Sequence, residues 1–378
     1  MADAGKSRKS RPGRVQRLQR YLQENGIDVA LVSGDGNVMH QSGYNRYYQG
    51  LAMVVVPADG EPALIVTVFE VSAAKGICFT KQVVGYGEPS FGLDLDQEGA
   101  LIKELPAVVK TVLGGRAPKT VGLAGASRRA VDALKALGTK PRSVALDGVL
   151  GSIREIKDPD EVAAISFSYQ LCLRAQQAVA KAARPGTSEI ELYSLAQQVM
   201  QLKNGSPVSF MADIQGGPHS SEVCSPVRIP GPRRLKRGDV LVADILVQAR
   251  GYFGDTARTH SAGTMLKEAR HQLTELEDIK RQAVAKLRPG TSGAELYAWA
   301  RKTIESTFKG GTFPHHLGHS VGVTVFEDPH LIPADTRELR AGMVLAMEPG
   351  VYFPGRYGLR TEDVYLVTPK GGRQLPTG

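Results

Sequence analysis

The sequence predicts two domains: a smaller α/β domain, followed by an α+β domain made of two copies of one unit related by a pseudo-twofold axis. Three observations predict it. RPGTSEIELYSLA, starting at Arg184, recurs as RPGTSGAELYAWA, starting at Arg288, an offset of 104 residues. LKRGDVLVADI, starting at Leu235, recurs at the same offset as LRAGMVLAMEP, starting at Leu339. Ahead of both repeats, from Gly13 to about Leu150, short apolar runs alternate with helix-like stretches. A chain of 378 residues exceeds one ordinary domain and is long enough for two sizeable cores.

Residues 1–12 are expected to be a disordered basic tail. Met1 to Arg20 holds seven Lys or Arg against Asp3, two thirds of the formal net charge of +9. A solvated terminus explains such a tail, and the near-balanced remainder leaves no basic face for nucleic acid. The α/β domain is expected over 13–153 and the duplicated domain over 154–378. In the first, a helix (Val15 to Asn25) leads to a strand at Val29 to Val32. A hairpin follows, with Ala52 to Val56 and Ala63 to Val66 flanking Ala58-Asp59-Gly60. Further strands fall at Gln82 to Val84, Thr120 to Leu123 and Ser143 to Leu146, with a helix starting near Ser127. The glycines of SGDGNV lack the G-x-G-x-x-G spacing of a nucleotide site.

Pro159 is a natural first-turn residue and opens a long helix at the domain boundary. Val162, Ile165, Tyr169, Cys172 and Val179 recur there at helical spacing, as Leu273, Leu276, Ile279, Ala283 and Leu287 do in the second repeat. Each long helix ends in RPGTS, where Ser188 with Glu191, and Ser292 with Glu295, match the capping-box spacing. No apolar run approaches the roughly 18 residues needed to span a membrane. Cys78, Cys172 and Cys224 show no metal-like spacing and fit a reducing compartment, so a cytoplasmic location and no membrane partner are expected.

LKRGDVLVADILVQARGYFGDTART, Leu235 to Thr259, reads as a hairpin with its connection near Ala249 and Arg250. In that register Asp244 and Asp255 face each other. Like charges paired across strands repel, which makes the pair a candidate cation site; the alternative is two strands that end at solvent. The 104-residue offset maps Asp244 onto Glu348, and a second acid follows each: Asp255 in one copy, Glu362 in the other. A pseudo-twofold fold can bring all four together. Between them lies FPHHLGHSVGV, in which His315 and His319 are four apart. Near a carboxylate quartet they read as a ligand and an outer proton carrier. Imidazole with several carboxylates suits manganese, cobalt, iron or zinc.

These motifs resemble the creatinase and methionine aminopeptidase superfamily, the pita-bread metallopeptidases, and within it the Xaa-Pro aminopeptidases and Xaa-Pro dipeptidases. RVQRLQRYLQENGIDVALVSGDGNVMHQSGY resembles the start of the creatinase-type N-terminal domain, and Glu155 onward resembles the catalytic domain. The resemblance implies five metal ligands: Asp255 and Glu362 bridging two divalent ions, most simply Mn2+, with Asp244 completing one site and His319 with Glu348 the other. It implies that His315 stabilises an oxyanion, that Glu348 or another acid shuttles a proton, and that Arg360 orients a substrate carboxylate. The alternative for Arg360 is a salt bridge to Glu362 or Asp363. A small peptide or small amide substrate and a homodimer are also implied.

Two positions depart from the family pattern. Phe326 stands where Xaa-Pro peptidases usually carry a second catalytic histidine. The histidine usually found before the first acid-bearing hairpin is missing as well: counting from either side lands on Cys224 or Val227, within a small insertion. His219 is the candidate to take its place, and with Phe326 and Arg360 it makes up the expected substrate contacts. Alternatives keep the metals and change the substrate to a non-peptide amide or cyclic amidine, as in ectoine hydrolase or creatinase-like enzymes, or drop catalysis for a binding role.

Overall fold

The computed structural model describes residues 12–45, 50–87, 96–222 and 229–377. The basic tail through residue 11, and Cys224 and Val227 of the insertion, lie outside the described residues. The chain divides into two compact units, Met1–Arg154 and Glu155–Gly378.

The first unit is built on one mixed sheet. Its strands are β1 (Val29–Ser33), β2 (Met53–Pro57), β3 (Ala63–Thr67), β4 (Gln82–Tyr86), β5 (Thr120–Ala124) and β6 (Arg142–Ala145), in the order β4-β3-β2-β1-β5-β6. Helices α1 (Gly13–Glu24), α2 (Asp35–Ser42), α3 (Val71–Ile77), α4 (Gln97–Val112), α5 (Arg128–Ala133) and α6 (Asp147–Glu155) accompany it. Successive side chains of a strand point to opposite faces. Ala30 and Val32 therefore pack with Val15, Leu18 and Leu22 of α1, while Val29 and Leu31 pack with Leu101, Leu105 and Val109 of α4. Burial on both faces is why β1 to β3 read as continuous apolar runs rather than alternating ones.

The second unit holds α7 (Pro159–Ala182), α8 (Glu189–Asn204), α9 (Lys267–Ala285) and α10 (Gly293–Thr307). Strands β7 (Ser209–Gly216), β8 (Val240–Ala249) and β9 (Tyr252–Ser261) form one antiparallel sheet in that order. The second repeat adds β10 (Gly318–Ser320), β11 (Glu327–His330), β12 (Val344–Met347), β13 (Gly350–Phe353), β14 (Tyr357–Arg360), β15 (Asp363–Thr368) and β16 (Gly371–Gln374). Five of these make a sheet in the order β11-β10-β12-β15-β16, and β13 pairs with β14.

The duplication is visible bond by bond. Ser188 bridges Arg234, and Ser292 bridges Glu338, at the offset seen in the sequence. Gly186 N–H donates to the Leu235 carbonyl at 2.9 Å, and Gly290 N–H donates to that of Leu339 at 3.0 Å. Ser188 and Glu191 form the full capping box of α8; in α10 Ser292 Oγ accepts the Glu295 N–H at 3.5 Å. Pro159 stands at the first turn of α7, behind a capping box of Asp158 and Glu161. The repeated local chemistry gives each half two helices packed on strands, with separate cores.

The hairpin register differs from expectation. Arg250 (φ 54°) and Gly251 (φ 80°) form the turn, both in the left-handed region that a two-residue hairpin turn of type I′ requires. The turn thus falls one residue later than the expected Ala249-Arg250, and moving a turn by one residue shifts every cross-strand partner by two. Asp244 consequently pairs with Ala257, and Asp255 with Leu246. The two aspartates do not face each other directly; they share one face of the sheet, one rung apart on the diagonal. On β7 that same face carries Met211 and Asp213, opposite Leu246 and Asp244. The other face carries Ala212, Ile214, Ala243, Ile245 and Val247 into the core with α7 and α8.

Candidate metal centre

The two repeats bring five side chains together. Asp244 and Asp255 come from β8 and β9, His319 from β10, Glu348 from the exit of β12, and Glu362 from the residue before β15. Backbone bonds set their heights: Glu348 N–H donates to the Leu317 carbonyl, and Glu362 N–H to that of Ala257, both at 2.9 Å. The second bond, joined by Thr256 Oγ1 donating to the Glu362 carbonyl at 2.9 Å, fastens one repeat to the other. Strands β10 and β12 approach so closely that a Cβ on Gly318 would lie 2.1 Å from the Ala346 carbonyl oxygen. Only glycine fits there.

Asp255, His319 and Glu362 offer ligand atoms that all lie within 4.8 Å of one another. His319 Nε2 is 3.5 Å from both Asp255 Oδ2 and Glu348 Oε1. Its Nδ1 donates to the Ser320 carbonyl at 3.0 Å, which leaves Nε2 as the nitrogen turned to the acids. Asp244 Oδ1, Asp255 Oδ1 and Glu362 Oε2 are buried without a hydrogen-bond partner. Orphaned carboxylate oxygens gathered in one place are costly unless cations complete them. An oxygen-rich set with one imidazole fits borderline-to-hard divalent ions, so the residues fit the expected metals.

The electrostatics agree. Burial pushes the carboxyls of Asp244 and Glu362 well above the usual carboxylate range, with neighbouring acids adding to it, and raises Asp255 as well. For Glu348 burial works upward too, but the hydrogen bond from His316 and the charges of His316 and His319 hold it low. Burial would lower His319, yet Asp255 and Glu348 lift it to about 9.

Around this cluster the expected substrate residues take specific positions. His315 Nδ1 donates to the His316 carbonyl at 2.7 Å, so its Nε2 accepts from the Tyr352 hydroxyl at 2.9 Å. Burial and Arg360 lower His315 to about 3. In this tautomer the proton sits on Nδ1 and Nε2 is turned to Tyr352. Arg360 Nε donates to the Tyr352 oxygen at 2.7 Å, and its Nη1 is bonded to Asp244. The salt bridge considered for it, to Glu362 or Asp363, does not form, because Asp363 is taken by Lys280 and Arg258. Phe326 is 52% exposed and lays its ring against His319 at 4.6 Å between centroids and His316 at 5.8 Å. His219 is held by Glu189 at 3.1 Å and belongs neither to the group of Asp255, His319 and Glu362 nor to a second possible ligand group, His315, His316 and Glu348.

Sequence reasoning missed two groups. His316 Nε2 lies 2.7 Å from Glu348 Oε1, closer than either neighbouring histidine. The doubled histidine of FPHHLGH was the available signal. Asp213 stands directly across from Asp244 in the β7–β8 register. An acid amid the apolar run of FMADI was the trace it left.

The chain belongs to metallopeptidase family M24, whose model matches residues 163–369. The creatinase/prolidase N-terminal domain matches residues 14–156, so the pita-bread unit behind a creatinase-type domain holds. Among relatives, the Xaa-Pro dipeptidase of Pyrococcus furiosus is 27% identical over 363 residues, 96% of this chain and 97% of that protein. The solved prolidase from Pyrococcus furiosus superposes with a TM-score of 0.76 at 26% identity, covering 95% of this chain and 99% of that one. Dipeptidase PepE from Mycobacterium ulcerans gives a TM-score of 0.73 at 26% identity, with 96% and 94% covered.

Proposed function

We propose that this chain is a dinuclear metal-dependent hydrolase that cleaves the amide bond of small Xaa-Pro-type peptides, in the manner of a prolidase or an aminopeptidase P. The observation that carries the reading is the gathering of Asp255, His319 and Glu362 within ligand reach of one another, with Glu348 3.5 Å from His319 and buried oxygens of Asp244, Asp255 and Glu362 left orphaned. Asp244, Asp255, His319, Glu348 and Glu362 are the residues that would hold two divalent cations. Manganese is the first candidate; cobalt, zinc and iron(II) also match the donors. Such a pair, when bound, supplies a water acidified toward neutrality and polarises a carbonyl.

The chain's own residues supply the rest. Glu348, held ionised by His316 and His319, accepts the proton that water gives up and returns it to the departing nitrogen. His315 accepts from Tyr352 and fixes that hydroxyl beside Arg360. Arg360 keeps Nη2 for a substrate carboxylate or the developing oxyanion. His219 and Phe326 are retained as substrate contacts, Phe326 through its exposed ring. A homodimer and a cytoplasmic location belong to the same reading, the latter supported by the buried free thiols of Cys78 and Cys172.

The test is hydrolysis by the manganese-loaded full chain of Xaa-Pro dipeptides, longer Xaa-Pro peptides, non-proline dipeptides and a cyclic amidine. Chelator-sensitive cleavage of the Xaa-Pro substrates is expected. Turnover of the cyclic amidine alone would transfer the chain to the ectoine hydrolase or creatinase-like alternative, and failure to bind any divalent metal would remove the enzyme reading.

A further inference from the structure

Asp213 is the one acid on the metal-facing side of the β7–β8–β9 sheet that the proposed chemistry does not use. It sits on β7, the outer strand, in register with Asp244. Carboxylates paired across adjacent strands repel. Asp244 meets Arg360 and belongs to a site built for cations. Asp213 has no such balance: among the described residues its carboxylate makes no hydrogen bond and no ion pair, although Arg360 and Glu348 lie within reach of its field. It is half-buried, on the same sheet face as the exposed Met211.

The side chains beside it narrow what that charge is attached to. Two residues earlier on the same face, Met211 is 52% exposed, and it lies opposite the half-buried Leu246. Leu246 in turn lies opposite Asp255. An apolar strip that starts beside a metal ligand and runs along a carboxylate suits a side chain with a hydrocarbon stem and a cationic tip. Lysine and arginine have that form.

The geometry points to a subsite in which Met211 and Leu246 bed the stem, and Asp213 pairs with the head, of a lysine or arginine next to the bond being cut. It rests on the proposed Xaa-Pro peptidase activity for the nature of that bond. A peptide's free α-ammonium offers the same charge without the stem, and the substrates can separate the two.

The experiment measures kcat/KM of the manganese-loaded full chain for Lys-Pro, Arg-Pro, norleucine-Pro and Glu-Pro. Norleucine keeps the stem and lacks the charge. The expected preference for Lys-Pro over norleucine-Pro is about tenfold or more, the size of one charge-assisted hydrogen bond. That ratio falls to about one in Asp213→Asn, is partly kept in Asp213→Glu, and turns toward Glu-Pro in Asp213→Lys. An unchanged ratio in Asp213→Asn overturns the subsite. An equal loss on all four substrates overturns it in favour of the α-ammonium, and a fall in bound manganese overturns it in favour of a metal ligand. If the chain cuts none of them, the peptidase reading has failed, and calorimetric binding of Lys-Pro against norleucine-Pro to the same variants still decides the subsite.

Discussion

The Tyr352 hydroxyl donates to His315 Nε2 at 2.9 Å while its oxygen accepts from Arg360 Nε at 2.7 Å. One buried phenol thereby orients an imidazole and a guanidinium, and that guanidinium reaches Asp244. Tyr352→Phe removes both bonds and keeps the ring. Activity on an Xaa-Pro dipeptide is expected to fall about 10- to 100-fold, carried by KM if Arg360 binds a substrate carboxylate. Steady-state kinetics with and without a free substrate carboxylate reads the difference.

His316 is expected to matter as an outer partner of Glu348. Losing the nearest donor to a metal-binding carboxylate typically costs about 10- to 100-fold in metal affinity or activity. His316→Ala should weaken manganese binding within that range, as measured by titration against a fluorescent chelator. His271→Ala, at an exposed helix position, should leave it unchanged.

Lys157 is fully buried, with Nζ 3.1 Å from Glu327 and 2.8 Å from Ser320 Oγ, the residue next to His319. Lys157→Met takes the ammonium away from the buried Glu327 carboxylate, which typically costs about 3–5 kcal/mol. Lys157→Met combined with Glu327→Gln should recover most of that in urea unfolding. Failure of the double variant to recover stability would place the loss elsewhere.

The chelated protein should lose stability as pH rises from about 6.5 to 9. His319 is raised to about 9 in the fold, so below 6.5 its stabilisation is fully present, and it is lost as pH climbs through 9. Asp244, Asp255 and Glu362 are raised as well; the folded chain holds their protons longer than the unfolded chain does, so their contribution has the same sign and falls as pH climbs from the ordinary carboxylate range upward. Saturating manganese should flatten or reverse the slope, and about 100 times its Kd should add about 2.7 kcal/mol. Melting temperatures across that window, with and without metal, check both.

His260 carries a pH dependence of opposite sign. Burial, with Arg258 adding, lowers it to about 4, and its Nε2 donates to Gln176 Oε1 at 2.9 Å. The unfolded chain binds a proton here from about pH 6.5 downward and the folded chain does not, so stability falls as pH drops from 6.5 to 4. The full effect is on the order of 3 kcal/mol. In His260→Asn the decline over that window should be shallower in urea titrations.

What was legible in the sequence was whatever repeats or alternates. The two copies of RPGTS and of the acid-bearing strand announced both the doubled unit and the equivalence of positions 244 and 348, because each motif is a local capping and turn chemistry that folds alike wherever it stands. The register of the hairpin was not legible. It hangs on whether Ala249-Arg250 or Arg250-Gly251 makes the turn, and one residue moves every rung by two. Partners set by distant strands were also out of sight. Arg360 lies two residues from Glu362 in sequence, yet the fold gives it to Asp244, 116 residues away. The Tyr352 link between His315 and Arg360 has no spacing signature at all.

The backbone bridges Ser188–Arg234 and Ser292–Glu338 show two look-alike halves, each contributing acids to a single cluster along their seam. Neither half alone is a smaller version of the enzyme; each is a jaw, and only the closed pair can grip. Evolutionary tinkering at the outer rim of either jaw is therefore cheap, whereas any change in the angle at which the jaws meet disturbs every acid at once.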